Sequence, residues 1–186
     1  GQLEVLQTKQ RFNVLACGRR WGKSKLAENL LIELALQGKP TGYFTPTYKL
    51  LEITYKEVLQ KCQHILKRKH DNQKIELITG GEIEFWSLDN PLSGRSRKYA
   101  RVVCDEIAFQ SGFMERWNEA IRATLTDLKG DGWFLSSPKG KNDFHKLFLR
   151  GKHGDAGWMS WQMPTATNPY IDPLEIQDAQ HDLPAD

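Results

Sequence analysis

The sequence of 186 residues has no hydrophobic run long enough to cross a membrane. A bilayer-spanning helix needs about 20 apolar residues, whereas the apolar stretch Leu30-Leu31-Ile32 is followed at once by Glu33. The N-terminus also lacks the charged, apolar and small-residue regions of a secretory leader. We therefore expect a protein with no membrane partner.

Cysteine is scarce, and the three cysteines, Cys17, Cys62 and Cys104, form no CxxC pair. The five histidines form no HxxxH or similar ligand pattern. These two shortages argue against a disulfide framework and against a zinc site, and they favour a reducing compartment.

Basic residues are absent from one end of the chain. Residues 164–186 hold five acidic residues and no Lys or Arg, although the whole chain has 26 Lys+Arg, 23 Asp+Glu and a net charge of +3. The preceding part is therefore clearly basic, which suits a polyanion such as nucleic acid. A solvated surface with scattered lysines explains the charge equally well.

Short apolar runs alternate with segments of helical periodicity along the chain. This alternation predicts an α/β domain with a mainly parallel central sheet flanked by helices, plus a β-hairpin around Thr79-Gly80-Gly81. Strands are predicted over 12–17, 42–46, 74–78, 82–87, 100–104, 133–136 and 158–163, and helices over 23–37, 48–68, 112–128 and 143–150. We expect residues 1–163 to form this domain and residues 164–186 to form an acidic linker or lid segment.

The strongest motif is the string CGRRWGKS at residues 17–24. It follows a predicted strand and opens a predicted helix, which is the setting that a phosphate-binding loop requires. Backbone N–H groups and the helix N-terminus would hold the phosphates, Lys23 would contact the β- and γ-phosphates, and Ser24 would ligate Mg²⁺. Cys17 stands where the first glycine is usual, and Gly18 follows it. A chance match in a surface turn is the alternative.

A second motif is the apolar run Val102-Val103-Cys104, which ends in Asp105 and Glu106. The carboxyl ends of parallel strands are where open α/β sheets bind ligands. Asp105 is predicted to bind Mg²⁺, and Glu106 to orient the attacking water. Adjacent residues of a strand face opposite sides, so both acids can serve only if the chain turns there. Two solvated acids at a strand end are the alternative.

Two further segments are candidates for contact with the γ-phosphate. Ser136, Ser137 and Pro138 follow a strand and could sense the γ-phosphate, although a plain turn is as good an explanation. Arg95, with Arg97 close by, could stabilise the transferring phosphoryl group from a neighbouring subunit. A generic surface arginine is the more common alternative.

Taken together, these strings resemble the ATPase domain of the large terminase subunit of tailed bacteriophages, which implies a P-loop NTPase fold of the ASCE (RecA-like) class. The resemblance spans nearly the whole chain and comprises Gln2, GRRWGKS at 18–24, FTPT at 44–47, the stretch from Asp89 through Arg95 to Glu106, SSPKG at 136–140 with Asn142 and Phe144, Asn168-Pro169 and Glu175.

The resemblance also implies roles for individual residues. Gln2 would contact adenine, Arg19 would contact phosphate in cis, and Arg95 would act on the neighbouring subunit. Ser96 replaces the family's usual glycine, which leaves the choice between Arg95 and Arg97 open. Residues 136–138 would couple hydrolysis to movement. The implied ATP-binding residues are Gln2, Gly18, Arg19, Arg20, Trp21, Gly22, Lys23, Ser24 and Lys25.

The function implied is a motor that hydrolyses ATP and pumps double-stranded DNA into a procapsid in the host cytoplasm. Its implied partners are DNA, further copies in a ring that commonly has five subunits, the portal protein and the small terminase subunit. Candidate DNA contacts are Lys67-Arg68-Lys69, Lys139 and Lys141. The family's metal-dependent nuclease domain would begin where this sequence stops, so we expect no nuclease activity from these residues.

Two other functions compete with this interpretation. A helicase of the same superfamily would show the same motifs, but it needs a second RecA-like domain for which this sequence has no room. A clamp that binds ATP without hydrolysing it is the other, and Glu106 argues against it.

Overall fold

The architecture is an α/β sandwich in which one eight-stranded sheet lies between two layers of helices. The computed structural model describes residues 1–165. The strands are β1 (Phe12–Cys17), β2 (Pro40–Thr45), β3 (Leu66–His70), β4 (Lys74–Leu77), β5 (Glu82–Ser87), β6 (Arg101–Asp105), β7 (Asp131–Ser136) and β8 (Trp158–Met163). The helices are α1 (Gln2–Thr8), α2 (Lys23–Leu36), α3 (Tyr48–Cys62), α4 (Phe113–Arg116) and α5 (Asp143–Lys152).

The strand order is β3-β4-β5-β2-β6-β7-β1-β8. Pairing is parallel from β5 to β8 across the sheet and antiparallel for β3, β4 and β5. The predicted mainly parallel sheet and hairpin are therefore confirmed. One strand, β7, lies between β1 and β6, so the strand before the predicted phosphate loop and the acidic strand are not neighbours.

The central strands are apolar because both of their faces are covered. Every residue of β1 and of β6 is buried, which is the pattern of parallel strands between helical layers. Helices α2 and α3 contribute to the core on one face, while α4, the turns after it and α5 contribute to the core on the other. The carboxyl ends of β1, β6 and β7 consequently lie along one edge of the sheet.

Most predicted elements are confirmed to within a few residues, but two helices are not as predicted. The helix predicted over 48–68 ends at Cys62, and the basic residues after it form edge strand β3, in which Leu66 pairs with Leu77. The helix predicted over 112–128 is only one α-helical turn, followed by a π-helical turn at 117–121 and a 3₁₀ turn at 122–125.

The two ends of the chain and the question of a membrane span remain to be described. Helix α1 was missing from the prediction, since its seven residues bury only Val5. No helix among residues 1–165 is both long and apolar enough to span a bilayer. The predicted acidic linker or lid at 164–186 lies almost wholly outside the described residues, as do Asn168-Pro169 and Glu175, and it stays a prediction.

Candidate nucleotide-binding site

The predicted phosphate loop connects β1 directly to α2. Arg20 and Gly22 adopt left-handed backbone conformations, with φ of 59° and 100°, and α2 begins at Lys23. Left-handed residues in such a turn curl the backbone so that N–H groups face a common concavity, which suits an anion. Only glycine adopts the conformation of Gly22 without strain. The loop therefore has the shape that its sequence predicts.

Gly18 occupies the tightest position in this loop. A Cβ at Gly18 would clash with the hydroxyl oxygen of Thr165 and would lie 2.5 Å from the backbone N of the same residue. The Gly18 N–H donates to the carbonyl of Met163, and the Thr165 hydroxyl donates to the carbonyl of Arg19. Cys17, in contrast, is the last buried residue of β1. The close approach falls at Gly18, which explains why the preceding position tolerates a cysteine.

The two acids at the end of β6 face the same cation. Glu106 has φ 57° and ψ 30°, so the chain turns sharply just after Asp105. The ammonium group of Lys23 lies 3.7 Å from Oδ1 of Asp105 and also contacts Oε1 of Glu106. The turn that both acids require is present, and the predicted Lys23, Asp105 and Glu106 come together.

Burial dominates the electrostatics of these acids. It raises the pKa of the Asp105 carboxyl, and the nearby Lys23 ammonium and the Tyr43 hydroxyl lower that pKa without cancelling the effect. Burial also raises the pKa of the Cys17 thiol to about 12. With one cation facing two carboxylates, the site is short of positive charge, which favours the binding of a further cation.

A pocket of about 1000 Å³ opens in front of the phosphate loop. The predicted ATP-binding residues all line it, together with the predicted Glu106 and Ser137 and with Gly1, Leu3 and Asn29, which the sequence did not indicate. Asn29 follows Lys25 by one helical turn on α2, so helical spacing from Lys25 was a signal that could have found it. Leu3 carries no such signal.

The residues that line the pocket differ in their burial and in their hydrogen bonds. The Gln2 amide donates to the carbonyl of Gly22 at 3.2 Å, which ties α1 to the loop. Trp21 is buried in the core of the α2 face, so the loop is anchored by this side chain. Arg19, Ser24 and Lys25 are exposed.

The segment after β7 is bonded to the residues that follow Glu106. The Ser136 hydroxyl accepts from the N–H of Ala108 at 3.2 Å. The Asn142 amide donates to the carbonyls of Ala108 and Lys139, at 2.9 and 2.8 Å, while its Oδ1 caps α5 by accepting from the N–H of His145. Pro138, between Ser136 and Asn142 in the sequence, is exposed. The predicted coupling segment is thus physically joined to the acidic turn.

Arg95 and Arg97 lie on the loop between β5 and β6, away from the pocket. The Arg97 side chain is held in place, with Nε 3.5 Å from Oε2 of Glu84 and its guanidinium over the Trp86 ring. Arg95 is exposed, and its side chain has no hydrogen bond or ion pair among residues 1–165. Of the two arginines, only Arg95 is free to reach another molecule.

One carboxylate oxygen of the site could bind a divalent cation, although the site has no cluster of carboxylates. Residues 1–165 contain no group of three or more Asp, Glu, His or Cys side chains that could hold a metal. Oδ1 of Asp105, however, is buried and accepts no hydrogen bond. Mg²⁺ typically takes one or two carboxylates and completes its shell with water and substrate phosphates, so this donor set fits it.

Curated proteins similar to this chain include large terminase subunits. No family model matches the chain. The large terminase subunit of Thermus phage G20c is 28% identical over 177 residues, covering 82% of this chain and 36% of that protein. The large terminase subunit of Escherichia phage T5 is 25% identical over 178 residues, covering 92% of this chain and 41% of that protein. The chain thus spans about two fifths of the curated relatives' length.

Solved structures give the same result for the fold. A mutant ATPase domain of the Thermus phage P74-26 large terminase has a TM-score of 0.81 at 22% identity, covering 98% of this chain and 88% of that chain. The large terminase of a thermophilic bacteriophage, solved in complex with ATP-γ-S, has a TM-score of 0.74 at 12% identity, covering 95% of this chain and 45% of that chain. The predicted resemblance to large terminase subunits and the fold of their ATPase domains are therefore confirmed.

Proposed function

We propose that this chain is the ATPase domain of a large terminase subunit, which hydrolyses ATP to drive double-stranded DNA into a procapsid. One observation carries the proposal: Lys23, at the start of α2, contacts both Asp105 and Glu106, and Lys23 and Glu106 line the pocket. The relatives named above are large terminase subunits, and the terminase of the thermophilic bacteriophage was solved with ATP-γ-S and with ADP.

The triphosphate would lie along the loop at 18–24. The backbone N–H groups of the left-handed turn and the start of α2 bind its oxygens, and Arg19 and Lys25 add positive charge from the exposed rim. Gln2, whose amide donates to the carbonyl of Gly22 and which lines the pocket, would contact the adenine.

Lys23 links nucleotide binding to the activation of Glu106. Its ammonium group neutralises both acids in this structure. Phosphate oxygens entering the loop compete for that ammonium, and the lysine that moves to them releases the Glu106 carboxylate. The freed carboxylate orients a water and accepts its proton as the water attacks the γ-phosphate.

Mg²⁺ fits this site through Ser24 and Asp105. Ser24 is exposed at the first turn of α2, and Asp105 offers the buried oxygen that has no hydrogen bond. When bound, the ion supplies charge neutralisation of the phosphate oxygens.

Arg95 is proposed to complete the site of a neighbouring subunit. Its loop connects β5 to β6, and no residue of that loop lines the nucleotide pocket. The exposed Arg95 side chain is therefore proposed to serve the pocket of a ring neighbour and not its own. Family resemblance suggests five subunits in that ring.

The segment at 136–138 is proposed to convert phosphate release into movement. Ser137 lines the pocket, and Ser136 and Asn142 bond this segment to the turn after Glu106. A shift of the acidic turn is therefore transmitted to this segment and to α5.

The DNA contacts are proposed at Lys139 and Lys141, which are exposed and directly follow the coupling segment at 136–138. On β3, Lys67 is also exposed, whereas Arg68 and Lys69 are paired with Glu76 and Asp71. Grip through lysines is electrostatic and weakens with salt. The portal protein and the small terminase subunit are the further partners proposed, and the host cytoplasm is the proposed location.

The proposal is tested by binding a fluorescent ATP analogue to Lys23→Ala and to a control, Lys39→Ala, whose exposed lysine lies beyond the opposite end of α2. Losing the ion pair between Lys23 and the nucleotide phosphates should weaken affinity about 100-fold. Lys23→Ala should therefore bind the analogue far more weakly, and Lys39→Ala should bind it like the wild type. Equal affinity in the two variants contradicts the proposal.

A further inference from the structure

Strand β2 brings a buried tyrosine against the acid of the neighbouring strand β6. The side chain of Tyr43 is fully buried, and its hydroxyl donates to Oδ2 of Asp105 at 2.9 Å. The same hydroxyl lies 3.0 Å from Oγ1 of Thr54, on α3. Because the tyrosine proton is used toward Asp105, the Thr54 hydroxyl is the donor in the second bond. The bonds thus run from Thr54 through Tyr43 to Asp105.

The two carboxylate oxygens of Asp105 have different surroundings as a result. Oδ2 is engaged by Tyr43, whereas Oδ1 is buried, accepts no hydrogen bond and lies 3.7 Å from the Lys23 ammonium. A carboxylate with one oxygen engaged has a fixed orientation. The oxygen left over is the one that faces the phosphate-binding lysine.

We propose that Tyr43 is a positioning residue that holds Asp105 so that Oδ1 alone is presented to a divalent cation. The inference rests on the proposed function, because it assigns a role within the same site. Tyr43 does not line the nucleotide pocket, so it acts through Asp105 and not on the nucleotide. Groups that orient a metal ligand in this way affect metal affinity by about 10–100-fold when they are removed.

The hydroxyl of Tyr43 makes two hydrogen bonds that a phenylalanine could not make. Phenylalanine would preserve the ring contact with Phe85, whose centroid lies 5.9 Å away. It would remove only the oxygen that bonds to Asp105 and Thr54. The carboxylate would then be free to rotate toward Lys23, and the energetic cost would fall on cation binding in particular.

The test compares Tyr43→Phe with a matched control, Tyr55→Phe. Tyr55 is buried in the same core beside Phe85, and its hydroxyl forms no hydrogen bond to a residue of the site. Two quantities are measured on each variant: the affinity for a fluorescent ATP analogue in EDTA, and the Mg²⁺ concentration that half-saturates the metal-dependent change in that affinity. Mn²⁺ bound in the presence of ADP is counted directly by electron paramagnetic resonance.

The expected result is specific to the metal. Tyr43→Phe should keep the metal-free affinity within about twofold and raise the half-saturating Mg²⁺ and Mn²⁺ concentrations about tenfold or more. Tyr55→Phe should match the wild type in both. Equal half-saturating metal concentrations in the two variants overturn the inference. It is also overturned if Tyr43→Phe loses as much nucleotide affinity in EDTA as it loses in the presence of Mg²⁺.

Failure of the inference is distinguishable from failure of the proposed function. A wild-type chain that binds no nucleotide under any condition contradicts the proposed function itself. If Tyr43→Phe does not fold, Thr54→Val carries the test, because Thr54 is half-buried and supplies the second bond to the Tyr43 hydroxyl. A raised metal requirement in Thr54→Val supports the inference, and an unchanged one overturns it.

Discussion

The ammonium group of Lys23 lies 3.7 Å from Oδ1 of Asp105, so the residue proposed to bind phosphate is paired with the residue proposed to bind the cation. The same ammonium contacts Glu106. Nucleotide binding must therefore rearrange three charged side chains at once. In the proposed mechanism, Glu106 stays paired with Lys23 until phosphate draws the lysine away.

Arg95 is predicted to act across a subunit boundary. Arg95→Ala should lower turnover about 1000-fold, since an arginine that stabilises the transferring phosphoryl group contributes about 10³–10⁵ in rate. Mixing Arg95→Ala with Lys23→Ala should restore activity, because one variant supplies Lys23 and the other Arg95. In a random equal mixture, about a quarter of the head-to-tail interfaces would be complete. The measurement is steady-state phosphate release with DNA present.

The control for this experiment is Arg97→Ala. Arg97 is tied to Glu84 and Trp86 on its own chain, so its removal should leave turnover within about threefold of the wild type, since it breaks only a partly exposed ion pair. Mixtures no more active than the sum of their parts would show that Arg95 does not act in trans.

Asn142 is predicted to matter for turnover and not for affinity. Asn142→Ser keeps a side chain that can cap α5 but loses the amide that bonds to Ala108 and Lys139. We expect turnover to fall about tenfold, the size expected for losing the one hydrogen bond that reaches the acidic turn, at Ala108, with unchanged nucleotide affinity. Asn142→Ala should add a loss of stability of about 1 kcal/mol from the missing cap. Stopped-flow binding and thermal melting separate the two effects, and a serine variant with full turnover refutes the link.

Arg101 should be the most costly cation to remove from the fold. It is 1% exposed, forms a two-pronged ion pair with Asp131 and also bonds to Glu33 and to the carbonyl of Leu30. Arg101→Met leaves the Asp131 and Glu33 carboxylates without their partner and should cost about 3–5 kcal/mol in the free energy of unfolding. Arg68→Met, which removes an exposed pair with Glu76, should cost less than about 1 kcal/mol. Urea titration measures both, and equal losses contradict this account.

Cys17 should resist alkylation despite lying next to the phosphate loop. Its pKa is raised by burial to about 12, so about one thiol in ten thousand is ionised at pH 8, compared with about a quarter for an ordinary cysteine. The raised pKa means that the labelling rate should increase tenfold per pH unit well beyond pH 9. Mass spectrometry after timed iodoacetamide treatment gives that rate, and rapid labelling of native Cys17 at pH 8 would be inconsistent with its burial.

The sequence predicted those parts of the site that depend on local pattern. Residues 17–24 form the loop because a buried strand, two left-handed residues and a helix start follow one another directly. The acids at 105 and 106 were located by the apolar strand that precedes them. In both cases the functional residues and the strand or helix that positions them lie within about ten residues of each other in the sequence.

The parts that escaped prediction depend on contacts between distant residues. Strand β3 is polar and exposed, and it is a strand because it pairs with β4, so its composition gave no sign of it. The bond from Tyr43 to Asp105 joins residues 62 positions apart. The left-handed turn at Glu106 could be stated only as a requirement, because a non-glycine residue seldom adopts that conformation.

The most direct test of the account is Glu106→Gln, measured for nucleotide affinity and for single-turnover hydrolysis on the same sample. Glutamine keeps the size of the side chain but cannot accept the proton of the attacking water. The affinity of Glu106→Gln should stay within about threefold of the wild type, and its hydrolysis rate should be lower by about 10²–10⁴-fold. Hydrolysis at the wild-type rate by Glu106→Gln would contradict the claim that ATP is cleaved beside Glu106.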